Sequence, residues 1–224
     1  MGPSSIPQLT PEEQYHVDIM KLIVQSLNGT PYVLKGGTSL LLGYGLDRFS
    51  EDLDFDSGKK LDLESKIRSS MPKDTHITNF RVAKNSEDNQ RYIVTFSNGE
   101  FARRLKIETK FIDEIPEDEI NIIDGMQISS ISRIIDGKTN AFINRTAIRD
   151  LYDVDFLLRN YINEFSEIAK KRVVDAFENE MNILDEYREA YDADAIISNR
   201  IELTDLILSI LSEIEKIKSV PPGP

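Results

Sequence analysis

An alternation of acidic and apolar residues between Asp52 and Asp56 constrains the fold of this chain more than any other feature. Leu53 and Phe55 separate three aspartates, and side chains on a β-strand point alternately to opposite faces. The pattern therefore predicts a half-buried strand with Asp52, Asp54 and Asp56 on one face. Crowded carboxylates are electrostatically costly unless solvent or a cation relieves them. The strand is either a solvated acidic edge or a site for Mg²⁺ ions, which prefer oxygen ligands.

A pair of glycines precedes this strand, in the run Lys35-Gly36-Gly37-Thr38-Ser39. The run lies between a predicted strand and a predicted helix. Glycines at such a junction allow phosphate oxygens to approach the backbone, and the N-terminus of the helix offers free N–H groups. A plain strand-to-helix turn would give the same sequence, so the run alone does not define a phosphate site.

Two further clusters carry charges that phosphate chemistry could use. On a strand, Lys106 and Glu108 share one face, where Glu108 could add a third carboxylate and Lys106 a positive charge; a salt-bridged strand face is the alternative. Lys138 precedes a helical segment that contains Arg149, Asp150 and Asp153. Arg149 and Asp153 are neighbours at helical spacing, so a structural ion-pair cluster is the default interpretation.

The order of the predicted elements indicates an α+β protein. Thr10, Pro11 and Glu13 predict a capped helix that ends near Leu27, and the first half then alternates strands and helices. The predicted strands are 32–34, 53–56, 75–83, 91–96 and 102–111, and the predicted helices between them are 38–44 and 61–71. From about Ile128 the pattern is helical, with predicted helices 131–144, 147–160, 164–184 and 202–217.

Composition excludes several classes of function. The chain has no cysteine and two histidines, so thiolate chemistry and histidine-rich metal sites are not expected. The formal net charge is −12, unlike that of a dedicated DNA-binding protein. No apolar run reaches the roughly 20 residues of a membrane-spanning helix, and we expect a cytoplasmic protein without membrane contact. There is also no GxxxxGK[ST] or GxGxxG motif.

At these motifs the sequence resembles the AbiEii-type toxin nucleotidyltransferases of the DNA polymerase β-like superfamily. The resemblance runs from about residue 30 to residue 158. It rests on four segments: Lys35-Gly36-Gly37-Thr38-Ser39-Leu40, Arg48-Phe49-Ser50-Glu51-Asp52-Leu53-Asp54-Phe55, Lys106-Ile107-Glu108 and Arg149-Asp150-Leu151-Tyr152-Asp153. It implies a nucleotidyltransferase domain, a mixed β-sheet with flanking helices, over residues 1–125. A C-terminal helical bundle would follow over residues 126–224.

The resemblance also implies roles for individual residues. Asp52, Asp54 and Glu108 would bind Mg²⁺ or Mn²⁺, and the run from Lys35 to Ser39 would hold the triphosphate of an NTP. Further catalytic roles would fall to Lys106, Lys138 and Asp150.

The implied function is transfer of a nucleoside monophosphate to tRNA by the toxin of a toxin–antitoxin pair, with a cognate antitoxin as partner. A small-molecule acceptor, a protein hydroxyl and an inactive binding module remain open alternatives.

Overall fold

The structure, a computed structural model, describes residues 9–179 and 183–219. The chain divides into two units, of which the first ends at Ser130 and the second begins at Ile131. The first unit combines a β-sheet with helices, whereas the described part of the second unit contains helices. The α+β class is therefore confirmed. In the described ranges, no helix is both long enough and apolar enough to cross a membrane.

A seven-stranded mixed sheet forms the centre of the first unit, with strand order β3-β4-β5-β2-β1-β7-β6. The pairs β2–β5 and β1–β7 are parallel and the other neighbours are antiparallel. The strands are β1 (Tyr32–Lys35), β2 (Asp52–Ser57), β3 (His76–Asn85), β4 (Asn89–Ser97), β5 (Ala102–Phe111), β6 (Ile120–Ile123) and β7 (Met126–Ser129).

Within residues 9–130, three α-helices accompany the sheet: α1 (Pro11–Ser26), α2 (Gly36–Gly43) and α3 (Leu63–Ser70). The predicted capping box is present at α1, where the Glu13 amide donates to the Thr10 side chain and the Glu13 carboxylate accepts from the Thr10 amide. The apolar side of α1 is buried, including Ile19, Met20 and Ile23. Leu53 and Phe55 of β2 and Leu105 and Ile107 of β5 are also buried, which leaves Asp52, Asp54, Lys106 and Glu108 on the opposite face.

The described part of the second unit consists of helices that pack on one another. They are α4 (Ile131–Asn144), α5 (Ile148–Tyr161), α6 (Glu167–Asn179), α7 (Ile183–Asp192), α8 (Ala195–Ser198) and α9 (Leu203–Ser219). Helix α5 packs against α4, α7, α8 and α9, and its Leu151, Val154 and Leu157 are fully buried. That these helices form a bundle stays a prediction.

Two parts of the predicted element order were wrong. The single helix predicted over 164–184 begins later, at Glu167, and its predicted end at residue 184 belongs to α7; residues 180–182, in between, lie outside the described residues. The hairpin β6–β7 was not predicted, although Asp124-Gly125 has the residues of a two-residue turn. Both turn residues have positive φ, 50° and 73°. Because β7 pairs with β1, the sheet extends beyond the predicted domain boundary at residue 125.

Candidate active site

Strand pairing brings the charged residues of β1, β2 and β5 together at the centre of the sheet. In the parallel pair β2–β5, Asp52 lies opposite Lys106 and Asp54 lies opposite Glu108. On the other side of β2, Lys35 lies opposite Asp54. Side chains opposite each other in paired strands share one face of the sheet. Five residues that are far apart in the sequence therefore form one cluster.

Two aspartates of β2 are neutralised by lysines of the neighbouring strands. The Nζ atom of Lys106 lies 2.6 Å from Oδ2 of Asp52, and Nζ of Lys35 lies 2.5 Å from Oδ1 of Asp56. Burial works to lower the pKa of Lys106, but its hydrogen bond to Asp52 and the nearby carboxylates outweigh burial and raise it. Lys106 is therefore held in its charged form inside the cluster.

Arg91 and Asn89 of β4 hold the Glu108 carboxylate. The Nε and Nη2 atoms of Arg91 donate to its two oxygens at 3.0 Å each, and Nδ2 of Asn89 donates at 3.1 Å. This bidentate geometry is a strong form of ion pair. The hydrogen bond from Arg91 is the largest cause of a lowered Glu108 pKa, with a smaller effect from Asn89. Glu108 is thus kept ionised and fixed in orientation.

Asp54 differs from these three carboxylates because it lacks a direct partner. Across residues 9–179 and 183–219, its side chain makes neither a hydrogen bond nor an ion pair. Burial raises its pKa, and the charges of Asp52 and Glu108 raise it further, while Lys106 and Lys35 oppose the increase. A half-buried carboxylate between two like charges is where a cation would be bound most favourably.

The glycine pair allows the backbone at the start of α2 to approach these side chains. Gly36 has φ +76°, and a Cβ atom there would lie 3.3 Å from Oδ2 of Asp54. A Cβ atom on Gly37 would lie 2.8 Å from Nη2 of Arg48 and 3.1 Å from Oγ of Ser50. Neither position has room for a larger residue without a shift. The close approach places the first turn of α2 beside Asp54.

Thr38 and Ser39 direct their hydroxyl groups into the protein. Oγ1 of Thr38 lies 2.8 Å from Oγ of Ser50 and donates to the carbonyl oxygen of Asp52 at 2.5 Å. Oγ of Ser39 donates to the carbonyl oxygen of Gly36 at 2.7 Å. Both side chains are buried. The Thr38 hydroxyl ties α2 to β2 and the Ser39 hydroxyl bonds within the first turn of α2, so the backbone N–H groups of the turn are the better candidates for binding phosphate.

Lys138 and Asp150 form a separate cluster within the second unit. Nζ of Lys138 lies 3.0 Å from Oδ1 of Asp150 and 2.6 Å from Oδ2 of Asp153, and Nε of Arg145 lies 2.6 Å from Oδ2 of Asp150. Both aspartates are buried. The structure therefore brings Lys138 and Asp150 together, as an ion-pair cluster between α4 and α5. Their catalytic role stays a prediction.

The carboxylate cluster has the donor chemistry of a divalent-metal site, although Asp52 and Glu108 are paired with cations. Among the described residues, no three histidine or acidic side chains are grouped in metal-binding geometry. Asp54 is unpaired, and each carboxylate has further acceptor capacity. Asp52 and Asp54 thus fit an oxygen-ligated metal, with Glu108 as the third acidic residue.

Comparison with known structures identifies the class of protein. The chain is similar to JHP933 from Helicobacter pylori, with 34% identity and a TM-score of 0.89, over 94% of this chain and 93% of that one. It is also similar to a structure from H. pylori described as a candidate nucleotidyltransferase. That match has 32% identity and a TM-score of 0.88, and it covers 96% of this chain and 100% of that one. No curated protein matches the sequence significantly.

The family described as "Nucleotidyl transferase AbiEii toxin, Type IV TA system" matches residues 18–216. The chain therefore belongs to the AbiEii nucleotidyltransferase toxin family and is a nucleotidyltransferase. The resemblance that the four sequence motifs indicated is confirmed, and it extends over most of the chain.

Proposed function

We propose that this protein transfers a nucleoside monophosphate from an NTP to tRNA, as the toxin of a toxin–antitoxin pair with a cognate antitoxin. The observation that carries the reaction is the unpaired Asp54 carboxylate. It lies between Asp52 and Glu108 and beside the Gly36 turn. A divalent cation bound here would relieve the crowding of like charges and would also attract the oxygens of a triphosphate.

Different residues of the site would bind the metal and the triphosphate. Mg²⁺ or Mn²⁺, when bound, supplies Lewis-acid chemistry and neutralises phosphate charge. Asp52 and Asp54 would hold the metal, and Glu108, oriented by Arg91, would complete the acidic set. The backbone N–H groups that follow Lys35 would bind the triphosphate.

Lys106 would contribute positive charge beside the reacting phosphate. It is charged, and it contacts Asp52 directly. Catalysis would rest on position and electrostatics, without a covalent protein intermediate.

An exposed group of basic residues supports RNA as the acceptor. Strand register places these residues on the face of the sheet that carries Lys106 and Glu108. In the described part of the chain, none of their side chains takes part in an ion pair. We call this group the cationic face; it consists of Arg81, Lys84, Arg104 and Lys110. On a chain with a net charge of −12, such segregation is the footprint expected for a polyanionic substrate.

Transfer of label tests the proposal. Each α-³²P-labelled NTP is incubated with total bacterial tRNA and Mg²⁺, with the wild-type protein and with an Asp52→Asn/Asp54→Asn double variant. Asp124→Asn serves as the control, because it makes the same chemical change at the β6–β7 turn. We expect label on tRNA with the wild type and the control, and none with the double variant. Equal labelling by the double variant would refute the assigned carboxylates, and the lack of label with every NTP would refute the tRNA acceptor.

A further inference from the structure

A pocket of about 440 Å³ lies next to the carboxylate cluster, on the β5 side of Asp52. Its volume is in the range of pockets that hold a small ligand. The lining residues are Glu51, Asp52, Ala102, Arg103, Arg104 and Lys106. Three cations and two carboxylates thus surround a space that adjoins the proposed metal site.

His16, on α1, contacts two residues that line this pocket, Glu51 and Arg103, from the interior of the protein. The side chain is fully buried. Its Nε2 atom lies 2.9 Å from the carbonyl oxygen of Glu51, and its Nδ1 atom lies 3.3 Å from Nε of Arg103. A carbonyl oxygen accepts and an arginine N–H donates, so Nε2 carries the proton and Nδ1 is the acceptor of a neutral ring. Burial lowers the pKa of His16, and the charge of Arg103 adds to this effect, although Glu51 and Asp52 oppose it.

Arg103 is held by two further contacts besides the one with His16. Its guanidinium carbon lies 5.6 Å from the centre of the Phe49 ring, in cation–π geometry. Its Nη1 atom lies 3.4 Å from Oε1 of Glu12. The His16 ring in turn packs edge-on against Phe49, with 5.7 Å between ring centres. These contacts order the Arg103 side chain from within the protein.

We propose that this pocket binds a phosphate group of the RNA acceptor through Arg103 and Arg104, and that His16 is a positioning residue that orients Arg103. Guanidinium groups match phosphate geometry and can bind it bidentately. Arg104 is exposed and has no ion pair within the described residues, so its charge is available to a ligand. The inference rests on the proposed function, since it assigns the acceptor side of that reaction.

The sheet order distinguishes this pocket from the predicted triphosphate site. Strand β2 lies between β5, which carries Arg103 and Arg104, and β1, which leads into the Gly36 turn. The pocket and the glycine turn therefore flank the β2 aspartates from opposite sides. An in-line transfer needs the leaving pyrophosphate and the attacking acceptor hydroxyl on opposite sides of the reacting phosphorus, which favours the acceptor as the source of the phosphate in this pocket.

Binding of a short 5′-fluorescein-labelled RNA with a free 3′-hydroxyl, followed by anisotropy in EDTA without NTP, tests this assignment. We expect Arg103→Ala and Arg104→Ala each to weaken binding by about tenfold, as for loss of one charge-assisted contact. His16→Phe removes the acceptor for Arg103 and is expected to match Arg103→Ala. His16→Gln retains an acceptor and a donor and is expected to restore binding to within about twofold of the wild type. Arg68→Ala, on α3, removes one positive charge outside the pocket and is the control.

The possible outcomes test the phosphate pocket independently of the proposed reaction. Equal RNA binding by Arg104→Ala and Arg68→Ala would overturn the phosphate pocket, and wild-type binding by His16→Phe would overturn the positioning role. A titration with a fluorescent ATP analogue and Mg²⁺ is expected to be unchanged in Arg104→Ala. An effect on ATP alone would assign the pocket to the donor and overturn the inference. Because the RNA assay needs neither metal nor NTP, absence of nucleotide transfer would refute only the proposed function.

Discussion

Replacing Asp54 with asparagine is expected to stabilise the metal-free protein at neutral pH. Asp54 and Glu108 lie opposite each other on adjacent strands, which are about 4.8 Å apart. Two unit charges at about 5 Å repel by about 3 kcal/mol at an effective dielectric constant of about 20. Lys106 and Lys35 oppose this repulsion, so we expect a net gain of about 1 kcal/mol. That gain would raise Tm by about 2–4 °C in a chain of this size.

The pH dependence follows from the direction of the pKa shift. The pKa of Asp54 is raised above its ordinary value of 3.8, so the native state binds more protons than the unfolded state just above that pH. Stability therefore falls as pH rises through this interval, and an ionised Asp54 is a net cost at neutral pH. The advantage of Asp54→Asn should disappear at pH values below 3.8. Thermal unfolding in EDTA, followed by circular dichroism across this pH range, measures the difference.

Asp56→Asn is the matched control because the same change there has the opposite expected sign. Asp56 is buried and pairs with Lys35 at 2.5 Å. Loss of its negative charge should therefore lower the free energy of unfolding by about 1–3 kcal/mol. With Mg²⁺ and NTP present, linkage should raise the Tm of the wild type more than that of Asp54→Asn. An Asp54→Asn protein that unfolds below the wild type in EDTA at neutral pH would refute the argument from unrelieved charge.

Other substitutions test the surroundings of the site and, separately, helix α4 and the ion-pair cluster of the second unit. Arg91→Ala removes the main cause of the lowered Glu108 pKa, so the acid limb of the pH–kcat/KM profile should move to higher pH, and an unchanged limb would contradict the role of Arg91. Gly37→Ala places a Cβ atom 2.8 Å from a guanidinium nitrogen of Arg48. It should lower the free energy of unfolding, measured in urea, by about 1–3 kcal/mol. Gly137→Ala, in an open position of α4, should instead raise the free energy of unfolding by about 1 kcal/mol. Lys138→Met removes the cation that pairs with two buried carboxylates. It should lower the free energy of unfolding by about 3–5 kcal/mol in the same assay, and Lys138→Arg should lower it by less.

Features with a local cause could be predicted from the sequence. The capping box of Thr10 and Glu13 requires only residues three positions apart, and it is present. The alternation in β2 is also local, and Leu53 and Phe55 are buried as it requires. The turn at Asp124 also had a local signal, a two-residue turn between apolar runs, but the helical interpretation from about Ile128 obscured the short β7.

The contacts that the sequence could not indicate depend on how strands and helices distant in the sequence pack together. Arg91 contacts Glu108 only because β4 pairs with β5 in one register, and a shift by one residue would turn Arg91 to the other face. His16 lies on the buried side of α1. Its contact with Arg103 depends on how α1 packs against β5, and periodicity carries no information about that packing.

The four residues of the cationic face also predict how strongly they alone should make RNA binding depend on salt. Each phosphate contact to a single strand contributes about −0.7 to the slope of log K against log salt concentration, so four contacts predict a slope of about −3. Arg81 and Lys84 lie on the edge strand β3, and replacing both with alanine should make the slope less steep by about 1.4. The same double substitution should leave Mg²⁺–NTP binding unchanged, because β4, β5 and β2 separate β3 from the Gly36 turn. A slope near zero would contradict a polyanionic acceptor, because the rest of an acidic surface cannot hold RNA by charge.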